Sequence, residues 1–257
     1  MKITIHQANY FPYPGFFQKV SLSDVYVVLD KVQFQFDITN WNKIITPDGS
    51  WTRISVPIKK DQKFFEIRNV EINNDLPWAE ENWNLIYKSY NESPFFDLYK
   101  VFLYSLYKKR WNLIFDLNLQ ILKKIFDWLD IKTEIVLESE LNVTGTSSKR
   151  LLNICKKLGA DTYISGIGGK RYLDEKSFEK NKIILKYQNY NQIRYLQHFS
   201  KSFIPNLSIL DLLANVGSES GKLLKENNWV FNWKNNCLLF TWFTSNSSDY
   251  IIRYCAF

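Results

Sequence analysis

Cysteine is scarce in this 257-residue chain: Cys155, Cys237 and Cys255 are the only three, too few and too scattered for a disulfide framework or a zinc site. All three read as free thiols in a reducing compartment. Histidine is scarcer still, with two residues, His6 and His198, and nothing around His198 supplies metal-ligand spacing. No metal and no Cys/His nucleophile pair is assigned. Long apolar runs are missing too, which excludes a bilayer-spanning helix of eighteen or more residues. The opening Met1-Lys2-Ile3-Thr4-Ile5-His6 has one lysine and then strand-like alternation instead of the apolar stretch and cleavage site of a signal peptide. A cytoplasmic protein with no membrane insertion is expected, and the Asn142–Thr144 glycosylation match then carries no weight. Internal repeats, low-complexity tracts and flexible linkers are also lacking, as is an isolated basic block. The net charge of +7 comes from 33 basic and 26 acidic residues that interleave, as in Lys170-Arg171-Tyr172-Leu173-Asp174-Glu175-Lys176. That pattern reads as a solvated face, compatible with anionic ligands and poor for nucleic acid.

What is present is a folding composition, 46% hydrophobic and 23% charged, read as one α/β domain over residues 1–257. Aromatic residues reach 17%, with nine Trp and fifteen Tyr; most are assigned to the core, and the content permits stacking on sugars or bases. Residues 2–6 and 25–30 read as buried strands, with a short helix after Pro14-Gly15 between them, the start of a mostly parallel, Rossmann-like sheet. Thr46-Pro47-Asp48-Gly49 marks the turn of an inserted β-hairpin. Residues 79–92, 95–109 and 111–129 carry helical spacing, so 79–129 forms a helical subdomain or insertion, broken at Ser93-Pro94. Strand patterns return at 131–137, 162–165 and 183–187, with a helix at 149–158 capped by Ser147 and Ser148 and another begun by Ser208. Residues 222–257 read as an irregular aromatic-rich tail.

Chemistry concentrates in His6-Gln7-Ala8-Asn9-Tyr10-Phe11-Pro12-Tyr13-Pro14-Gly15, where the first strand hands over to a helix and where open parallel sheets bind ligands. His6 suits a general base because an unperturbed imidazole titrates near working pH. The helix start at Gly15 offers free N–H groups for a phosphate or oxyanion. Asp30, at the end of the second strand, is placed to orient His6 or bind an ammonium group; a turn-capping role is the alternative. Asn40-Trp41-Asn42 offers two amides and an aromatic for a sugar or base. Ser165-Gly166-Ile167-Gly168-Gly169 is glycine-rich but lacks the lysine-serine ending of a P-loop and the dinucleotide fingerprint spacing.

Together these segments resemble the WbqC-like family. The resemblance rests on His6 to Phe17, Asp24 to Phe34 with Gln33, Asn40-Trp41-Asn42-Lys43-Ile44, Ser55-Val56-Pro57, Ser93-Pro94-Phe95-Phe96, Leu158-Gly159-Ala160, Ser165-Gly166 with Gly168-Gly169, Tyr172-Leu173-Asp174 and Asn206 to Leu213. It spans roughly residues 3–217. Ala8 departs from the proline usual in the family, and Trp41 from an arginine.

Membership implies a role in surface polysaccharide or O-antigen biosynthesis. The expected activity is transfer of an acyl or aminoacyl group, for example glycyl, to the amino group of a nucleotide-linked deoxyamino sugar. His6 would be the base and Asp30 its orienting partner; Gln7, Asn9 and the N–H groups near Gly15 would bind the oxyanion, and Tyr10, Tyr13 and Asn42 the sugar or nucleotide. Gln33, Asn40, Ser165, Gly166, Gly168, Gly169 and Tyr172 complete the expected binding set. The activated donor is an acyl adenylate, a thioester or a charged tRNA, the one nucleic acid the reading admits; the oligomeric state is left open. The alternatives are an ATP-dependent carboxylate-amine ligase, with the first loop and Ser165 to Gly169 on phosphates, and a non-catalytic sugar-nucleotide or partner-binding protein.

Overall fold

The computed structural model describes residues 1–35, 37–62 and 64–225, and beyond them the strand backbones at 229–234, 237–242 and 250–255. The chain is α/β. It opens with β1 (Lys2–His6), α1 (Pro14–Ser21) and β2 (Val25–Val28), then the hairpin β3 (Trp41–Ile45) and β4 (Trp51–Ser55). Three helices follow, α2 (Trp78–Tyr90), α3 (Asp97–Lys108) and α4 (Ile114–Trp128). The α/β alternation resumes with β5 (Glu134–Leu137), α5 (Ser147–Leu158), β6 (Thr162–Ser165), α6 (Glu175–Lys180) and β7 (Ile184–Tyr187), and continues into α7 (Ile209–Val216) and α8 (Ser220–Lys225).

Strands β1, β2, β5, β6 and β7 form one parallel sheet in the order β5-β2-β1-β6-β7. Both faces are covered, as a parallel sheet requires. Ile3, Ile5, Val25 and Val27 pack with Leu151, Cys155 and Phe178 on one side. Tyr26 and Val28, one position out of phase, pack with Phe16, Phe17 and the apolar stripe of α4 on the other. The chain steps from β1 outward to β2 and β5, then returns to the opposite flank of β1 as β6 and β7. The direction of winding therefore reverses between β1 and β6, and a crevice is expected there at the carboxyl ends of the strands.

The hairpin forms as its turn residues dictate. Thr46 N–H donates to the Ser50 carbonyl at 3.0 Å, and Gly49 takes φ +80°. The Asp48 carboxylate collects the Ser50 N–H and the Thr46 and Ser50 hydroxyls, which hold its pKa down at about 2. Helix α1 has proline in its first turn and is buried from Pro14 through Val20.

Two expectations change. Ser147 and Ser148 do not cap α5: Thr146 holds the N-cap position without a side-chain bond, and the Ser148 hydroxyl instead accepts the Asp174 N–H at 2.9 Å. Ser208 does cap α7, accepting from Leu210 N–H at 3.1 Å. The stretch read as an irregular tail carries β8 (Trp229–Lys234), β9 (Cys237–Trp242) and β10 (Tyr250–Cys255), an antiparallel sheet in the order β10-β9-β8. The free-thiol expectation holds for buried Cys155; the side chains of Cys237 and Cys255, and of Trp229, Trp233 and Trp242, lie outside the described residues.

Candidate functional site

A cavity of about 770 Å³ opens where the winding reverses, within the range that takes small ligands. The end of β1 and its loop supply Ile5, His6, Asn9, Pro12 and Tyr13, α1 supplies Phe16 and Lys19, and the hairpin supplies Trp41, Asn42 and Lys43. The end of β6 supplies Tyr163 and Ser165 through Gly169, with Tyr172 beyond, and the segment after β7 supplies Gln188, Asn189 and Tyr190.

His6 is the last residue of β1, with its ring edge-on to Phe16 at 5.6 Å. Its Nδ1 lies 3.0 Å from the Gln7 carbonyl. A carbonyl only accepts, so Nδ1 carries the proton and Nε2 keeps a lone pair. Burial, and then the charge of Lys19, push the imidazole pKa down to about 3 against a weaker opposing pull from the Gln7 carbonyl. This corrects the expectation of an ordinary titration: His6 is neutral throughout the physiological range. Nearby, Asn9 is 1% exposed and its Oδ1 has no hydrogen-bond partner among the described residues.

Lys19 was not foreseen. It is 5% exposed, its ammonium lies 5.9 Å from the Phe16 ring centre, and that ammonium makes no ion pair with a described residue. Burial lowers its pKa to about 8. In the sequence it reads as the solvent face of a short helix; the cue was a lysine set among Phe16, Phe17 and Val20 in a helix too short to have a wet side. Tyr190 was also missed. It packs edge-on against Tyr13 at 5.7 Å, and this contact needs Gly15, where a Cβ would overlap the Tyr13 ring and come within 2.8 Å of Tyr190.

Of the expected set, His6, Asn9, Tyr13, Asn42, Ser165, Gly166, Gly168, Gly169 and Tyr172 line the cavity, and the rest do not. Asp30 does not orient His6: it is 2% exposed and its Oδ1 accepts the Ser139 N–H at 2.9 Å, tying the end of β2 to the turn after β5. Gln7 donates to the Thr39 hydroxyl at 2.7 Å. The Tyr10 hydroxyl is buried against Tyr107 and accepts from Asn82 at 3.2 Å. Gly15 accepts at its carbonyl from the Gln188 amide at 2.8 Å. Gln33 bridges to Glu66, and Asn40 donates to the Val56 carbonyl at 3.0 Å. Asn42 reaches the cavity wall while its amide holds the carbonyls of Tyr10 and Phe11. The Arg53 guanidinium lies 4.0 Å over the Trp41 ring, so a cation stands beside the position where arginine was expected. Among the described residues no group of three or more His, Cys, Asp or Glu could hold a metal.

Comparison with known proteins bears on these segments directly. The WbqC-like protein family matches residues 7–223. The chain belongs to the WbqC-like protein family. This WbqC-like chain is also 29% identical over 228 residues to an uncharacterized protein of Mycobacterium tuberculosis, Rv1507c, an alignment that covers 87% of this chain and 97% of that one. No solved structure matches it. Segments far apart in the WbqC-like chain, His6 to Tyr13, Trp41 to Lys43, Ser165 to Gly169, Tyr172 and Asn206, meet at the one cavity. Among the described residues no helix is long and apolar enough to cross a membrane.

Proposed function

We propose that this WbqC-like chain transfers an acyl or aminoacyl group, for example glycyl, from an activated donor to the amino group of a nucleotide-linked deoxyamino sugar during surface polysaccharide biosynthesis. The observation that carries the reading is Asn9 Oδ1, an acceptor buried without a partner among the described residues. His6, whose Nε2 keeps a lone pair when Nδ1 donates to the Gln7 carbonyl, lines the same cavity. A buried acceptor left unpaired costs about 1–3 kcal/mol, so a ligand that brings N–H donors to both is favoured. A sugar amine does so.

Acyl transfer requires the amine in its neutral form, attacking an activated carbonyl and passing one proton to a base. His6 at a pKa of about 3 is a weak base beside an uncompensated Lys19 charge. Part of that depression comes from the Lys19 charge, and a ligand anion paired with Lys19 returns that part. His6 then orients the amine through Nε2 and takes its proton as the new N–C bond forms, while the carbonyl's bond to the donor's phosphate oxygen, thiol sulfur or tRNA oxygen breaks and that group leaves with the bonding pair. Tyr13, Trp41 and Tyr190 line the walls where a sugar or base would stack.

A mass-spectrometric assay with a panel of nucleotide-linked amino sugars and acyl adenylate, thioester and aminoacyl-tRNA donors tests this. Acylated sugar nucleotide is expected, and His6→Gln should abolish it while the amino-sugar nucleotide still raises the melting temperature. Stabilisation by ATP alone, with ATP hydrolysed when a small carboxylic acid is added, would replace the transferase with a ligase.

A further inference from the structure

The acceptors above call for donors; the rest of the cavity calls for the opposite. Among the described residues none that lines it is a carboxylate, while Lys19 and Lys43 both belong to it, together with the neutral titratable groups His6, Tyr13, Tyr163, Tyr172 and Tyr190. The Lys43 ammonium lies 4.5 Å over the Trp51 ring. The Lys19 ammonium lies farther from its ring, 5.9 Å from the Phe16 centre, and pairs with no carboxylate among the described residues; a buried ammonium without a counter-charge is costly until an anion or deprotonation relieves it.

A second observation is independent of any charge. Glycine is required where φ is positive or where a Cβ would collide. Gly169 meets the second condition, since a Cβ there would overlap Ser165 Oγ and approach Leu173 within 2.9 Å. Gly166 and Gly168 meet neither. Gly166 has φ −68° and ψ 158°, open to any residue, and Gly168 is absent from the positive-φ positions. A Cβ at either would have nothing within 4 Å. Both line the cavity on the β6 side of the sheet switch. A bare backbone on an open wall admits close approach by a bulky group from outside the chain, as where glycines let main chain lie against a pyrophosphate.

We infer that the cavity contains a diphosphate subsite, in which Lys19 pairs with phosphate oxygens and the bare main chain at Gly166 and Gly168 forms the wall against which the diphosphate lies. The inference deepens the proposed function, since it rests on a nucleotide-linked acceptor, and it places that acceptor's charged linkage between α1 and the end of β6. The amine then falls toward His6 and Asn9.

Titration calorimetry with inorganic pyrophosphate tests the subsite without any acyl chemistry. Wild-type protein should bind it at or below about 1 mM, and Lys19→Met should weaken binding by about tenfold or more. Gly166→Val and Gly168→Ala add side chains into open space at permissive backbone, so both should keep the wild-type melting temperature and lose affinity by a similar factor. Undiminished affinity in Lys19→Met or in both glycine variants overturns the subsite, as does wild-type protein that ignores pyrophosphate up to about 10 mM. Pyrophosphate binding with these losses, but no acyl transfer in the assay above, would sink the transferase and leave the subsite standing. Transfer that survives Lys19→Met and Gly168→Ala unchanged would do the reverse.

Discussion

The amide nitrogen of Asn42 donates to the carbonyl of Phe11 at 2.7 Å, so the hairpin holds the loop that carries the cavity's polar residues. Phe11 needs holding, because its φ of +42° lies in a region costly for a residue with a Cβ. The same amide reaches the Tyr10 carbonyl at 3.2 Å. Asn42→Ala should lose about 2 kcal/mol in urea unfolding, from two buried carbonyls left without a donor. It should also weaken amino-sugar nucleotide binding by relaxing Asn9. A variant with wild-type stability would show that the loop holds itself.

Gly15 offers a test of the aromatic wall. A methyl at this position collides with the Tyr13 ring and comes within 2.8 Å of Tyr190. Gly15→Ala should therefore part the edge-on pair and cost about 1–3 kcal/mol, the range of overpacked sites. Ligand affinity should fall with it. Thermal melts with and without an amino-sugar nucleotide separate the two effects, and an affinity loss without a stability loss would place Tyr13 and Tyr190 in ligand contact rather than in structural packing.

How far these features were legible in the sequence depends on whether their cause is local. Alternating Ile3 and Ile5, the β-branched run at Val25, the Thr46–Ser50 turn and the Ser208 cap each encode structure within a few residues, and they read correctly. The helix cap at Ser147 and Ser148 did not, because Ser147 takes a left-handed φ of +48° and the Ser148 hydroxyl accepts the N–H of Asp174, 26 residues away. Asp30 misled for a similar reason: its position at a strand end matched a catalytic carboxylate, but its direction was set by the Ser139 N–H. Lys19 was hidden by helical periodicity, which cannot tell a solvent face from a face covered by neighbouring segments. The role of Gly15 in letting Tyr13 meet Tyr190 spans some 175 residues and leaves no local mark.

The displaced role of Asp30 leads to a contrast in acid. The folded state keeps His6 at about 3 against an ordinary 6.5, so between those values the unfolded chain binds more protons. Stability should therefore fall as pH drops from about 6.5 toward 3, by up to about 1.4 kcal/mol per pH unit from this group. His6→Gln should flatten that slope. Asp30→Asn should leave it in place, because Asp30 bonds to Ser139 and not to the imidazole. Urea titrations at several pH values decide it: an Asp30→Asn profile steeper than wild type would restore the His6–Asp30 pair, because a partnering carboxylate raises the imidazole pKa and its removal would lower it further.

Lys19 makes the opposite demand on the alkaline side. Its folded pKa of about 8 lies below the free value of 10.5, so the unfolded chain again binds more protons, and stability should rise as pH increases from about 8 to 10.5. Below pH 8 the fold carries a charged, buried amine at a cost on the order of 3 kcal/mol. Lys19→Met keeps the length of the side chain and removes the charge, so at pH 7 and without ligand it should unfold at higher urea than wild type. The gap should close above about pH 10.5, once the wild-type amine is losing its proton in the unfolded chain as well. Millimolar pyrophosphate should narrow it at pH 7 by stabilising only the protein that retains the lysine. A Lys19→Met variant less stable than wild type at pH 7 would mean that the fold already compensates the ammonium, which would count against the anion site.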